Sequence, residues 1–192
     1  MNKNIVDYKS VYYPPGGILL WIIITLELLT FGMALIALVY FSKEDPQLFH
    51  SSRLLLNTIL GIINTIVLLT SGFFMVVAAN YFKNNDYAKV KLYLNLVLLS
   101  GMLFCVLKGF EFYHKFSAGI TLDTNVFFTF YWLLTGFHYI HVLVGLVIIG
   151  FLLRGVNKNN TLTHDDFEGG AAFWHMCDLI WLIVFPVIYL IF

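Results

Sequence analysis

Five apolar stretches, each long enough to cross a bilayer, constrain this sequence more than any other feature. About 20 mostly apolar residues suffice to span the hydrocarbon core as a helix. The candidate spans cover about 17–41, 54–82, 90–113, 126–153 and 169–192. Because backbone polar groups in lipid must be satisfied within the segment, we predict an all-α membrane protein. Residues 1–192 would then form a single domain, a bundle of five transmembrane helices.

The composition supports a membrane location. Charged residues make up 11% of the chain and hydrophobic residues 60%, whereas a soluble domain carries about 25% charged residues. Lys plus Arg and Asp plus Glu each number 11, so the net charge is zero. This balance argues against a nucleic-acid partner. The two cysteines, Cys105 and Cys177, both lie in apolar runs and form no disulfide framework.

The distribution of basic residues predicts an orientation. Seven Lys or Arg residues lie in or beside the N-terminal tail, the second connector and the fourth connector, and three lie on the other side. The first group is Lys3, Lys9, Lys83, Lys89, Lys91, Arg154 and Lys158, and the second is Lys43, Arg53 and Lys115. Because basic residues accumulate in cytoplasmic loops, we expect a cytoplasmic N-terminus and a C-terminus outside.

Several ionisable residues interrupt the apolar spans. Each costs about 2.5–3.5 kcal/mol at the helix centre on insertion scales, so such residues usually face the bundle and have a partner. They are Glu27 in the first span, Lys108 and Glu111 in the third, His138 and His141 in the fourth, and His175 and Asp178 in the fifth. From the helical rise, those of the first, fourth and fifth spans lie around mid-membrane. Lys108 and Glu111 share a helix face nearer the outer interface, where their charges can neutralise each other.

The histidines allow four interpretations. His138, His141 and His175, with Glu27 or Asp178 as a carboxylate ligand, would suit a non-haem metal site. A haem between two histidines of the fourth and fifth spans is conceivable, although bulky side chains crowd both. A proton path through Glu27, His138 and Asp178 is chemically reasonable. From spacing alone we favour a structural or lipid-contacting polar layer.

Four segments resemble subunit III of the haem–copper terminal oxidases. TGFHYIHVLVG (135–145) is similar to the family pattern T-G-F-H-x-x-H-x-x-x-G, and FEGGAAFWHMCDLIWLIVFPVIY (167–189) is similar to its final helix. The matching residues of that helix are Glu168, Trp174, His175, Asp178 and Trp181. KGFEFYH (108–114), at the end of the third span, is similar to a family segment in which a glutamate, here Glu111, precedes an aromatic residue. LLWIIITLELLTFG (19–32) is similar to the segment that contains the family's buried glutamate, here Glu27. Lys108 stands where a glutamine is common.

The resemblance implies a subunit without catalytic, cofactor-binding or metal-binding residues of its own. Haems and copper would reside in the catalytic subunit I and its copper-bearing partner, subunit II. This chain would pack beside them, bind phospholipid and sustain proton uptake in a complex that reduces oxygen and pumps protons. The five-helix form is typical of bacterial members, which predicts a multi-pass protein of the bacterial inner membrane.

The motif residues would then form buried polar contacts. Trp174, Trp181 and Lys108 are candidates for contacts with lipid or neighbouring helices. Three alternatives remain open at this point. The chain could be a nitric-oxide-reductase-associated subunit, a membrane metalloenzyme that uses His138, His141 and His175, or a proton-conducting or transport protein centred on Glu27.

Overall fold

A computed structural model describes residues 16–157 and 162–192 as six α-helices, with no strand in these ranges. The helices are α1 (Ile18–Glu44), α2 (Pro46–Leu54), α3 (Thr58–Lys83), α4 (Tyr87–Ser117), α5 (Val126–Asn157) and α6 (His164–Tyr189). All except α2 are long and apolar enough to cross a membrane. The prediction of an all-α bundle with five apolar helices is therefore confirmed.

Part of the charge count that predicted the orientation falls outside the described residues. Lys3, Lys9 and Lys158 lie in the segments 1–15 and 158–161. The predicted orientation of the termini consequently stays a prediction.

The short helix α2 occupies a segment that the sequence suggested as a plain connector. Asp45 caps it by accepting a hydrogen bond from the Leu48 backbone N–H at 3.0 Å, and Pro46 stands in the first turn. Asp45 is favoured at this position because its side chain accepts from a backbone N–H that has no partner within the helix. Pro46 is favoured because proline has no backbone N–H that would need a partner in the first turn. Phe49 of α2 packs edge-on against Phe127 and Phe192, so α2 covers one end of the bundle.

The helices α3, α4 and α6 begin at well-defined caps. Asn57 and Asp86 accept hydrogen bonds from the backbone N–H groups three residues later, at 3.0 and 3.3 Å. Thr163 and Asp166 form a reciprocal capping box at the start of α6. Asp86 lies outside the spans, and its hydrogen bond with the Lys89 side chain holds the pKa of this carboxyl below its ordinary value.

The centre of the bundle is α6, which packs against α3, α5 and α1. In its most apolar stretch 61% of the residues are buried, against 22% in α1. Glycines allow the close approach: a Cβ at Gly145 of α5 would lie 2.8 Å from the Trp174 ring, and a Cβ at Gly101 of α4 would meet the same ring at 2.8 Å. The Trp174 indole is therefore wedged between α4 and α5, fully buried.

Candidate functional site

A closed polar cluster joins α4, α5 and α6 near one end of the bundle. Lys108 and Glu111 of α4 form an ion pair at 3.0 Å, with side chains 0% and 3% exposed. The Lys108 ammonium also donates to the hydroxyls of Tyr189 at 2.6 Å and Tyr131 at 3.4 Å. Both tyrosines in turn donate to Glu111 Oε1, at 2.9 Å from Tyr131 and 2.6 Å from Tyr189. Each of the three ammonium hydrogens thus has an acceptor.

Aromatic rings surround this cation. The Lys108 Nζ lies 5.0–5.4 Å from the ring centroids of Phe112, Tyr131, Trp181 and Tyr189. Such placement is favourable for a desolvated cation. The ion pair is buried and its hydrogen bonds connect α4, α5 and α6, which suits a structural role in joining three helices. His114, which shares the helix face, packs instead on Phe110.

A second polar pair links α1 and α5. Glu27 Oε1 lies 3.3 Å from His141 Nε2, with side chains 29% and 17% exposed. The other ring nitrogen, Nδ1, lies 2.7 Å from the backbone carbonyl oxygen of Phe137. The two helices therefore meet at this pair, which faces a cavity between α1 and α5.

His175 and Asp178 form a third pair, within α6. His175 Nδ1 lies 3.4 Å from Asp178 Oδ2. Asp178 is buried against α3, where a Cβ at Gly72 would come into direct collision with its carboxylate. Its other oxygen, Oδ1, has no hydrogen-bond partner among the described residues. His175 is half-buried, with its side chain 40% exposed.

His138 lies apart from the other histidines in an aromatic setting. Its ring stacks on Trp181 with centroids 5.0 Å apart and meets Phe104 edge-on at 5.7 Å. Neither ring nitrogen has a hydrogen-bond partner within the described part of the chain. The Trp181 indole N–H donates to Thr65 of α3 at 2.9 Å. The contacts of His138 within the bundle are therefore made by its ring faces and edges against aromatic neighbours.

The remaining motif residue, Glu168, lies at the opposite end of the bundle from the Lys108 cluster. It pairs with Lys83 of α3 at 3.4 Å, and the side chains are 30% and 61% exposed. Phe82 and Phe167 stack beside this ion pair, with ring centroids 4.3 Å apart. These contacts fix the start of α6 against the end of α3.

The geometry does not assemble the metal site suggested by the histidine spacing. Within residues 16–157 and 162–192, no group of three His, Cys, Asp or Glu side chains lies close enough to hold a metal ion. His138, His141 and His175 instead have three separate sets of neighbours.

Sequence reasoning also missed Tyr131 and Tyr189, the two hydroxyl partners of the Lys108–Glu111 pair. A tyrosine in an apolar run carries no local signal that it will meet an ion pair from another helix.

Comparison with known proteins gives a consistent set of relatives. A family model described as cytochrome c oxidase subunit III matches residues 53–191. The chain is 30% identical over 132 residues to cytochrome c oxidase subunit 3 of a Synechocystis strain, covering 67% of this chain and 55% of that protein. It is 33% identical over 131 residues to cytochrome c oxidase subunit 3 of Bacillus subtilis, covering 67% of this chain and 63% of that protein.

A further relative matches along nearly its whole length. It is a probable quinol oxidase subunit 3 of Staphylococcus saprophyticus, 24% identical over 195 residues, which covers 99% of this chain and 96% of that protein. The chain therefore spans little more than half of the Synechocystis protein but almost all of the staphylococcal one.

Proposed function

This chain belongs to the cytochrome c oxidase subunit III family, and we propose that it is a non-catalytic accessory subunit of a respiratory haem–copper terminal oxidase. In this role it binds no redox cofactor, while haems and copper reside in the catalytic subunit I and in subunit II. The chain stabilises that complex, holds phospholipid and supports proton uptake. The complex reduces oxygen and pumps protons.

The observation that carries the proposal is the set of contacts that the ionisable side chains of the spans make within the bundle. Lys108 and Glu111 are saturated by two tyrosines, and His138 is enclosed by aromatic rings. Reaction centres need side chains that converge on a space where a substrate atom can sit. These groups instead join helices to one another, which is the arrangement expected of a supporting subunit.

The outward surface supports the proposed partners. Large apolar side chains project from α1 and α3, including Leu19 at 72%, Ile36 at 71% and Ile59 at 71% exposure. In a membrane such surfaces contact acyl chains or the helices of another subunit. We therefore place the catalytic subunit and phospholipids on this surface, in a bacterial inner membrane. The N-terminus would be cytoplasmic and the C-terminus outside.

Purification through an affinity tag on this chain tests the assignment. We expect the solubilised complex to contain a large haem-bearing subunit and to show a reduced-minus-oxidised haem spectrum. The isolated full chain should show no haem spectrum and no stoichiometric iron or copper. A tightly bound metal on the isolated chain that is lost on His138→Ala would instead favour the metalloenzyme interpretation.

Depletion of the chain from the complex tests the supporting role. We expect initial oxygen consumption to persist, with slower proton uptake and earlier inactivation during turnover. Reconstitution with the purified chain should restore both properties. Immediate and complete loss of oxygen reduction in an otherwise intact complex would show that the chain takes part in the chemistry and would contradict the proposal.

A further inference from the structure

A cavity of about 320 Å³ lies between α1 and α5, at the Glu27–His141 pair. Glu27 is nine residues after the start of α1, about 14 Å along the helix at 1.5 Å per residue. Apart from this pair and Thr30, the cavity walls are apolar, and Phe31, Phe130 and Phe137 supply three aromatic rings. The Thr30 hydroxyl is already engaged, since it donates to the Leu26 carbonyl at 2.8 Å.

The hydrogen bonds of His141 determine what the polar pair can offer a ligand. The Phe137 carbonyl can only accept, so the His141 Nδ1, 2.7 Å away, carries a hydrogen. In the neutral imidazole, Nε2 is then an acceptor, as is a carboxylate oxygen. The 3.3 Å contact between Nε2 and Glu27 Oε1 is therefore a hydrogen bond only if the two groups share one proton. A pair with that one proton has no net charge.

This arrangement leaves a hydrogen-bond acceptor at the cavity. Within residues 16–157 and 162–192, the polar side chain that pairs with Glu27 is that of His141, and it contacts the Oε1 atom of Glu27. The second carboxyl oxygen remains as an acceptor for a ligand. Acyl chains of lipids offer no donor, and a phosphate or carboxylate head group offers only acceptors. Charged groups at this depth are also costly.

The cavity therefore fits a neutral amphiphile whose head is a hydroxyl-bearing ring. The phenylalanine rings match an aromatic body, which prefers offset or edge-on contacts. A volume near 300 Å³ lies at the lower end of the range for small-molecule sites, and Phe137, 57% exposed, lies at the open side where an apolar tail could leave. We propose that the α1–α5 cavity reversibly binds a hydroquinone-type lipid, with a ring hydroxyl donating to Glu27. The site would be the same whichever electron donor the complex uses.

Equilibrium binding of radiolabelled decylhydroquinone to the full chain in phosphatidylcholine nanodiscs tests this proposal. We expect saturable binding that unlabelled decylhydroquinone displaces. Its dimethyl ether, which has no hydroxyl, and 1-decanol, which has no ring, should each compete at least about tenfold more weakly, as expected when one hydrogen bond or one aromatic contact set is lost. Equal competition by the ether would show that the cavity selects only apolar bulk, and equal competition by decanol would show that no ring is recognised. Either result overturns the proposal.

Three variants and one control locate the site. Glu27→Leu/His141→Leu removes both acceptors at the cavity, the carboxyl and the imidazole Nε2, and should weaken binding about tenfold or more. Glu27→Gln keeps an acceptor oxygen and can donate to His141, so binding should stay within about threefold. Ala34→Leu leaves the polar pair intact but fills part of the cavity, and should also weaken binding. Thr25→Val is the control, because Thr25 donates to the Trp21 carbonyl and does not line the cavity.

Circular dichroism and size-exclusion chromatography establish that each variant is folded. Unchanged affinity in both Glu27→Leu/His141→Leu and Ala34→Leu would place the bound hydroquinone elsewhere and refute the assignment of the cavity.

Discussion

Replacing Lys108 with methionine would leave the Glu111 carboxylate buried without its counter-ion. Glu111 would keep the hydroxyls of Tyr131 and Tyr189 as donors, at 2.9 and 2.6 Å. Removal of one partner of a buried ion pair typically costs about 3–5 kcal/mol. Because two donors remain, we expect a loss at the lower end, about 3 kcal/mol of unfolding free energy.

A double variant separates the charge from the packing. In Lys108→Met/Glu111→Gln, the amide oxygen can still accept from the tyrosines, and no uncompensated charge remains. We expect this variant to unfold within about 1 kcal/mol of the unmodified chain, since neutral replacement of a buried pair is often tolerated. The single variant Glu111→Gln should be destabilised, because it leaves the lysine unpaired.

The assay is unfolding in mixed micelles of increasing dodecyl sulfate fraction, followed by far-ultraviolet circular dichroism. Lys89→Met is the matched control, since Lys89 also pairs with an acid three residues away at 3.0 Å, but at the exposed start of α4. We expect no measurable change for the control. The reasoning would be refuted if Lys108→Met unfolded at the same point as the control, or if the double variant lost as much as the two single variants together.

Three further predictions follow from other contacts. Gly145→Ala should destabilise the bundle by about 1–3 kcal/mol in the same micelle assay, because the new methyl group collides with the Trp174 ring; Gly150→Ala, which meets no atom within 4 Å, should not. Glu27→Gln should leave the oxidase complex assembled and change turnover only modestly, measured as oxygen consumption by the purified complex; complete loss of activity would argue that Glu27 is catalytic. Thr163→Ala should cost about 1 kcal/mol by removing the capping box of α6, and an unchanged unfolding midpoint would show that the cap is dispensable.

The number of membrane-spanning helices could be predicted because the length and apolar content of each segment can be read from that segment alone. The helix α2 could not, because its nine residues are too few to show a helical period and its mean composition is polar. Its one local signal was Asp45 followed by Pro46, which is also common in turns. The first indication that this segment is more than a connector is therefore the packing of Phe49 against two distant rings.

The polar contacts were predictable only as far as helix depth and spacing allow. The rise per residue brought Glu27 and His141 to similar depths, but which helix faces meet depends on packing around α6. The spacing of Lys108 and Glu111 indicated a pair within one helix. Their partners Tyr131 and Tyr189 are up to 81 residues away in the chain, and no local pattern specifies such a meeting.

The central position of α6 has a consequence for biogenesis. Chains are synthesised from the N-terminus, and α6 is the last of the described helices to leave the ribosome. Until it inserts, the grooves at Gly101 and Gly145 lack the indole that fills them, and the Lys108 ammonium lacks the Tyr189 hydroxyl. The packing of α6 against α1, α3 and α5 therefore forms only after this last described helix has inserted, whereas α3 and α4 can pack before it. Lys108 keeps Glu111 and Tyr131 as partners until then, so the late insertion of α6 completes the polar cluster with the Tyr189 hydroxyl.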